Sequence, residues 1–195
     1  MRRRATMGSM EISTRRLLLR EYGPGDLDAV QAFASDPVVC AFAEWGPNTP
    51  QDTAAFLEEC AAEQVAVPRK TWTLAIAWGG SVIGSVALVM EESDLVHGPG
   101  VAELGYVLHR NAWGNGYAAE AAEALLAWAG AHRGITRVVA TCRPENTGSV
   151  RVLEKIGMQQ VDYLHEHQRI DGKARDSLVF SGLIPVGQPA GTSAG

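Results

Sequence analysis

Two glycines stand where an apolar run hands over to an alanine-rich one. Ala102-Glu103-Leu104-Gly105-Tyr106-Val107-Leu108 reads as a strand, and Asn111-Ala112-Trp113-Gly114-Asn115-Gly116-Tyr117-Ala118 leads from it into a long helix. The first N–H groups of a helix have no acceptor inside the helix, and the helix dipole is positive there. Glycine lets phosphate oxygens reach those amides with no side chain in the way. The spacing therefore predicts an anion site made of backbone, with a phosphorylated ligand on residues 112–118.

Other polar residues carry weaker signals. His165 and His167 alternate on one run, which suits a metal only if a third ligand joins them; satisfied histidines are the simpler account. Glu44-Trp45 and Glu91-Glu92-Ser93-Asp94 fall in loops, where an acidic, partly aromatic rim would attract a cationic amine or be simply solvated. Cys40, Cys60 and Cys142 are odd in number, widely separated and without metal spacing, as suits a reducing cytosol.

The elements that must position these residues follow from pattern. A strand is expected at 16–20, a helix from Pro24 to just before Pro37, and a second helix from the capping Thr49-Pro50-Gln51-Asp52 to about Gln64. Strands at 71–78 and 82–90 flank a Gly79-Gly80-Ser81 turn, and a loop over 91–100 leads to the strand at 101–108. A helix at 117–133, a strand at 137–142 and a helix at 146–156 closed by Gly157 come next. A hairpin of 161–168 and 174–183 around Asp171-Gly172 ends the pattern. This predicts one α/β (α+β) domain over 13–184, three layers around a mixed, mostly antiparallel seven-stranded sheet with four helices. Residues 1–12 and 185–195 are expected to be disordered ends.

Net charge is −5, so no general polyanion-binding surface is expected, and Arg2-Arg3-Arg4 precedes the first structured pattern. Nucleic acid and membrane are therefore not expected partners, since no apolar run reaches the length a membrane helix needs. Two nucleotide readings fail on context. A dinucleotide fingerprint belongs after the first strand of a parallel sheet, whereas a hairpin and two helices precede this one. The lysine of a P-loop is absent.

The loop instead resembles the Q/R-x-x-G-x-G/A acyl-CoA loop of the GNAT acetyltransferase superfamily, with Asn111 at a first position usually held by Gln or Arg. Trp113-Gly114-Asn115-Gly116-Tyr117-Ala118-Ala119-Glu120-Ala121, the strand Leu17–Arg20 and the segment from Asn146 through Ser149 to Glu154-Lys155-Ile156-Gly157-Met158 are similar to its RimJ/RimL-type branch. The resemblance covers about residues 13–183. It implies acetyl-CoA as donor, a primary amine as acceptor, no metal, and a cytoplasmic enzyme for which a homodimer stays open. It also implies that the CoA pyrophosphate lies on the amides of Ala112, Trp113, Gly114, Asn115, Gly116, Tyr117 and Ala118, with Asn111 beside them as a further cofactor-binding residue. The pantetheine arm would run along Tyr106, Val107 and Leu108 and meet Asn146 and Ser149.

Acetyl transfer needs a neutral amine, a stabilised oxyanion and a proton for the leaving thiolate. Glu103 is the candidate base, through water, and Ser149 the candidate acid, with Tyr106 and Tyr117 as alternatives better suited to packing. Asn146 also has the makings of a plain helix cap. Glu44 and Trp45 are the candidate acceptor contacts. A protein N-terminus and a small-molecule amine are both open as acceptors. So is a non-catalytic acyl-CoA-binding or sensor module on the same fold.

Overall fold

The computed structural model describes residues 10–91, 93–170 and 172–184. The glycine loop joins the middle of one sheet to one helix. Strand β5 (Val101–Leu108) enters it through a 3-10 turn, Arg110–Ala112, and α4 (Tyr117–Arg133) leaves it. Ahead of them come β1 (Glu11–Ser13), β2 (Leu18–Glu21), a 3-10 turn at Pro24–Asp26, α1 (Leu27–Ala34), α2 (Pro37–Cys40), α3 (Pro50–Val65), β3 (Thr71–Trp78) and β4 (Ser81–Val89). After them come β6 (Arg137–Cys142), α5 (Thr147–Lys155), β7 (Gln159–Ile170) and β8 (Lys173–Leu183).

Eight strands form one sheet in the order β1-β2-β3-β4-β5-β6-β8-β7, with only β5–β6 parallel. The fold class is as expected from the sequence, but among the described residues the counts are corrected from seven strands and four helices to eight and five. The extra strand is β1, which pairs Glu11 with Arg20 and Ser13 with Leu18. Three residues are too few to show an alternating pattern, and the sheet begins two residues before the boundary expected at 13. The extra helix is α2. Pro37 ends α1 but also occupies the first position of a new turn, where its missing N–H costs nothing and the Asp36 carboxylate accepts the Val38 N–H at 2.9 Å. Residues 1–9 and 185–195, most of the ends expected to be disordered, lie outside the described residues, as do Glu92 and Asp171.

Strand alternation splits the core into two layers. Leu74, Ile76, Val86, Leu88, Ala102 and Leu104 face α4, where Ala118, Ala121, Ala122 and Ala129 are buried and let the helix lie close. Ala75, on the other face, packs with Val30, Phe33 and Ala34 of α1 and Cys60 of α3. The sheet is therefore the middle of three layers.

Candidate active site

Beyond Glu103, the parallel pair comes apart. β5 and β6 are paired only at Val101–Arg137, Ala102–Val138 and Glu103–Val139. β5 then stays with β4 as far as Leu108 opposite Gly84, while β6 stays with β8 as far as Cys142 opposite Leu178. The result is a fork with Glu103 at its apex. The His109 N–H donates to Ile83 O at 2.8 Å, which fixes the alternation of the β4–β5 ladder. By that alternation Val107 bonds Ser85 of β4, whereas Tyr106 and Leu108 turn their backbone groups into the fork. Leu108 confirms it: its carbonyl accepts the Trp113 indole N–H at 2.8 Å. The backbone edge expected along 106–108 thus consists of Tyr106 and Leu108, and Val107 contributes a side chain to the opposite face.

The glycine loop is held from several sides. Gly114 and Gly116 both have φ near +76, which favours glycine, and Gly116 caps α4 in the left-handed region. The Asn115 side-chain amide donates to the carbonyls of Ala112 (3.2 Å) and Trp113 (3.0 Å). Ala112 and Ala118 are buried, the Ala112 N–H donates to His109 O at 2.8 Å, and Asn111 is exposed. The Asn111 N–H donates to His109 Nδ1 at 3.1 Å. Tyr117 packs, as expected, under the Arg16 guanidinium (4.5 Å) and beside Trp78.

Two cations stand next to this loop that the sequence reading passed over. Arg16 donates through Nη1 to Asn115 O (3.0 Å) and through Nε to Glu120 Oε2 (2.7 Å). Its Nη2 lies 3.7 Å from where a Cβ on Gly116 would sit, and Lys155 Nζ lies 3.3 Å from the same point. Together with Arg15, Ala119, Glu120 and Glu123 they line a hollow of about 290 Å³. Glu120 is already satisfied. Burial would raise its pKa, but hydrogen bonds from Thr14 and Arg16 outweigh that and hold it below the usual carboxylate range. Lys155 was visible as part of the Glu-Lys-Ile-Gly string. Arg16 reads from sequence only as a strand residue.

At the fork the expected partners meet. Asn146 caps α5, its side-chain oxygen accepting the Ser149 N–H at 3.1 Å. The Tyr106 hydroxyl crosses the fork and donates to Ser149 O at 3.1 Å. Burial pushes the Tyr106 phenol well up, so its proton stays on. Glu103 is half-buried, and burial, reinforced by the nearby Glu44 carboxylate, raises its pKa above the ordinary carboxylate range. Glu44 itself accepts from Arg143 Nη2 at 3.1 Å, and buried Arg143 also donates to Asp176 O (3.1 Å) and to Ser177 Oγ. The acidic loop thereby stays fastened to the end of β6.

On the sheet face opposite α4 lies a pocket of about 790 Å³. Its walls come from α1, α3 and the loop 45–48, and its floor from β3, β4 and β5. Trp45 lines it, as does Gly105, which shares a strand face with Glu103. The two histidines part company: β7 is irregular between Leu164 and Gln168, leaving His165 exposed beside Asp176 and His167 on Ser177 Oγ at 2.8 Å. Among the described residues no group of three or more His, Cys, Asp or Glu is placed to hold a metal.

A family model described as acetyltransferase (GNAT) domain matches residues 16–159, a span that includes the fork, the loop and α5. An uncharacterized N-acetyltransferase of Bacillus subtilis (strain 168), YnaD, is 32% identical over 151 residues, which is 77% of this chain and 84% of that protein. The crystal structure of a GNAT-family acetyltransferase from Bacillus anthracis superposes with a TM-score of 0.77 at 29% identity, over 89% of this chain and 98% of its own. Mycobacterium smegmatis RimJ, in complex with CoA-disulfide, shares the fold at a TM-score of 0.74 and 21% identity, over 90% of this chain and 86% of its own. A forked sheet, a glycine loop feeding a helix and a sequence match across both converge: the chain belongs to the GNAT acetyltransferase family.

Proposed function

We propose that the protein transfers an acetyl group from acetyl-CoA directly to a primary amine in a ternary complex. The observation that carries this is the fork. A split parallel pair offers the backbone groups of Tyr106 and the N–H of Leu108 to a peptide-like arm, and the loop beside it offers helix amides to a pyrophosphate. In this reading the amides of Gly114, Asn115, Gly116, Tyr117 and Ala118 hold the diphosphate, with Arg16 and Lys155 alongside; those of Ala112 and Trp113 are already paired with His109 O and Arg110 O. The thioester then lies in the fork between Glu103 and Ser149.

Glu103, its pKa raised, takes a proton from the incoming ammonium through water and leaves a neutral nucleophile. The nitrogen attacks the thioester carbonyl, and the N–H of Tyr106 turned into the fork stabilises the oxyanion. Collapse of that intermediate breaks the C–S bond: the Ser149 hydroxyl gives its proton to the departing thiolate and takes the extra proton of the attacking nitrogen, which leaves a neutral amide and a free thiol, while Glu103 returns its proton to solvent. The Tyr106 hydroxyl, bonded to Ser149 O, supplies the same proton if Ser149 does not. The buried free cysteines suit a reducing cytoplasm, and no described helix is long and apolar enough to cross a membrane.

Thiol release from acetyl-CoA in the presence of a panel of primary amines and peptides tests the reading. Amine-dependent release is the expected result. Tight CoA binding with no turnover on any acceptor would leave the non-catalytic acyl-CoA module standing in its place.

A further inference from the structure

The floor of the 790 Å³ pocket is unusually bare. Strand registers place Thr73, Ala87 and Gly105 in one row across β3, β4 and β5, and Ser85 beside Val107 in the next. Gly105 needs no special backbone: its φ is not in the left-handed region, and a Cβ built there meets nothing within 4 Å. The fold does not demand glycine at this position. What its absent side chain leaves is open space, two residues along the same face from Glu103 and thus about 7 Å away.

The walls have a definite chemistry. Trp45 and Phe56 supply aromatic surface, with buried Phe33 behind them, and the charged residues that line the pocket, Asp52 and Glu59, are exposed and both acidic, Asp52 also accepting the Thr49 N–H and hydroxyl. Asp52, Ala55, Phe56 and Glu59 follow helical spacing, so one stripe of α3 presents acid, small, aromatic and acid in turn. The hydroxyls of the floor are committed: Thr73 donates to Glu63 Oε2 at 2.9 Å and Ser85 to Leu74 O at 3.4 Å. A cation would be attracted here, and an acceptor carboxylate would meet carboxylates with no cation to offset them. A peptide would bring backbone groups that the aromatic walls cannot pair. The volume falls within the range of about 300–1,000 Å³ that suits a small molecule.

Resting on the transferase reading above, we infer that the acceptor is a small primary amine with an apolar, aromatic-sized body and no carboxylate. The ammonium enters at the Gly105 end, beneath the fork, and the body lies against Trp45 and Phe56. Gly105 is then the residue that sets how large an acceptor reaches the thioester.

The test compares 2-phenylethylamine with phenylalanine and with an unblocked tripeptide, by thiol release at saturating acetyl-CoA, in the wild type and in Gly105→Leu. The expected wild-type result is a kcat/KM for phenylethylamine at least about tenfold above that for phenylalanine or the peptide, since one unpaired carboxylate among acids is worth at least that ratio. Gly105→Leu is expected to raise KM for phenylethylamine about tenfold or more and to leave the CoA Kd unchanged, which also reports an intact fold. Equal or better use of phenylalanine or the peptide overturns the acceptor class and spares the transferase reading. An unchanged KM in Gly105→Leu overturns the role of the pocket. No turnover with any amine overturns both.

Discussion

Glu103 is where sequence and structure agree on position but differ in what makes the position useful. The sequence shows a carboxylate on a strand ahead of the glycine loop, with nothing to say which face it takes. The structure puts it at the last rung of the β5–β6 pair, half-buried and near Glu44. Glu103→Gln is expected to lower kcat by about 10²- to 10⁴-fold while CoA affinity, measured by calorimetry, stays the same. The base works ionised and its pKa is raised, so kcat/KM falls as pH drops through that raised value. Glu44→Gln removes the neighbouring like charge, which stabilises ionised Glu103 and moves the acid limb of the profile to lower pH. A limb that stays put would separate Glu44 from the chemistry. Ser149→Ala is expected to lower kcat more than Tyr106→Phe does, because the phenol is already spent on Ser149 O. The reverse order would make Tyr106 the acid. Asn146 shows the limit of residue-level reading: its cap is plain in sequence and structure alike, and any ligand contact adds to that cap.

At the scale of elements, the anion loop was the most legible part of the chain, because glycine, helix start and alanine-rich helix all signal locally. What holds the loop was not legible. Arg16 is 99 residues from Asn115 in sequence, and no local pattern announces that pairing. The fork was hidden for the same reason, since it depends on where β6 leaves β5. β1 and α2 were missed for want of length, three and four residues respectively. Gly116→Val is expected to weaken CoA binding at least about tenfold. A β-branched residue resists φ near +76, and its Cβ would sit 3.3 Å from Lys155 Nζ. Lys155→Ala is expected to weaken it less, by a factor that shrinks as salt is added, because an exposed cation is screened. Arg16→Ala removes a partly exposed ion pair with Glu120. Its effect is expected on CoA affinity, through a loosened Asn115, with little change in the unfolding midpoint.

For the whole molecule, the three-layer arrangement divides the labour between the two sheet faces. The α4 face is packed with alanine and leucine, and holds the loop rigid. The opposite face is left partly unfilled between α1 and α3, with small residues where a core would have large ones. Leu125→Ala, at a fully buried position on the packed face, is expected to cost about 2–5 kcal/mol in denaturant unfolding. Alternation and helix spacing were enough to foresee the layers. The emptiness of one face was beyond reach, because a missing side chain such as that of Gly105 leaves no periodic trace. Direct transfer requires the two ligands to be held at once. Initial velocities measured over a grid of acetyl-CoA and amine concentrations test that most directly. Intersecting double-reciprocal lines are predicted, as a ternary complex requires. Parallel lines, the mark of an acetylated enzyme intermediate, would contradict it.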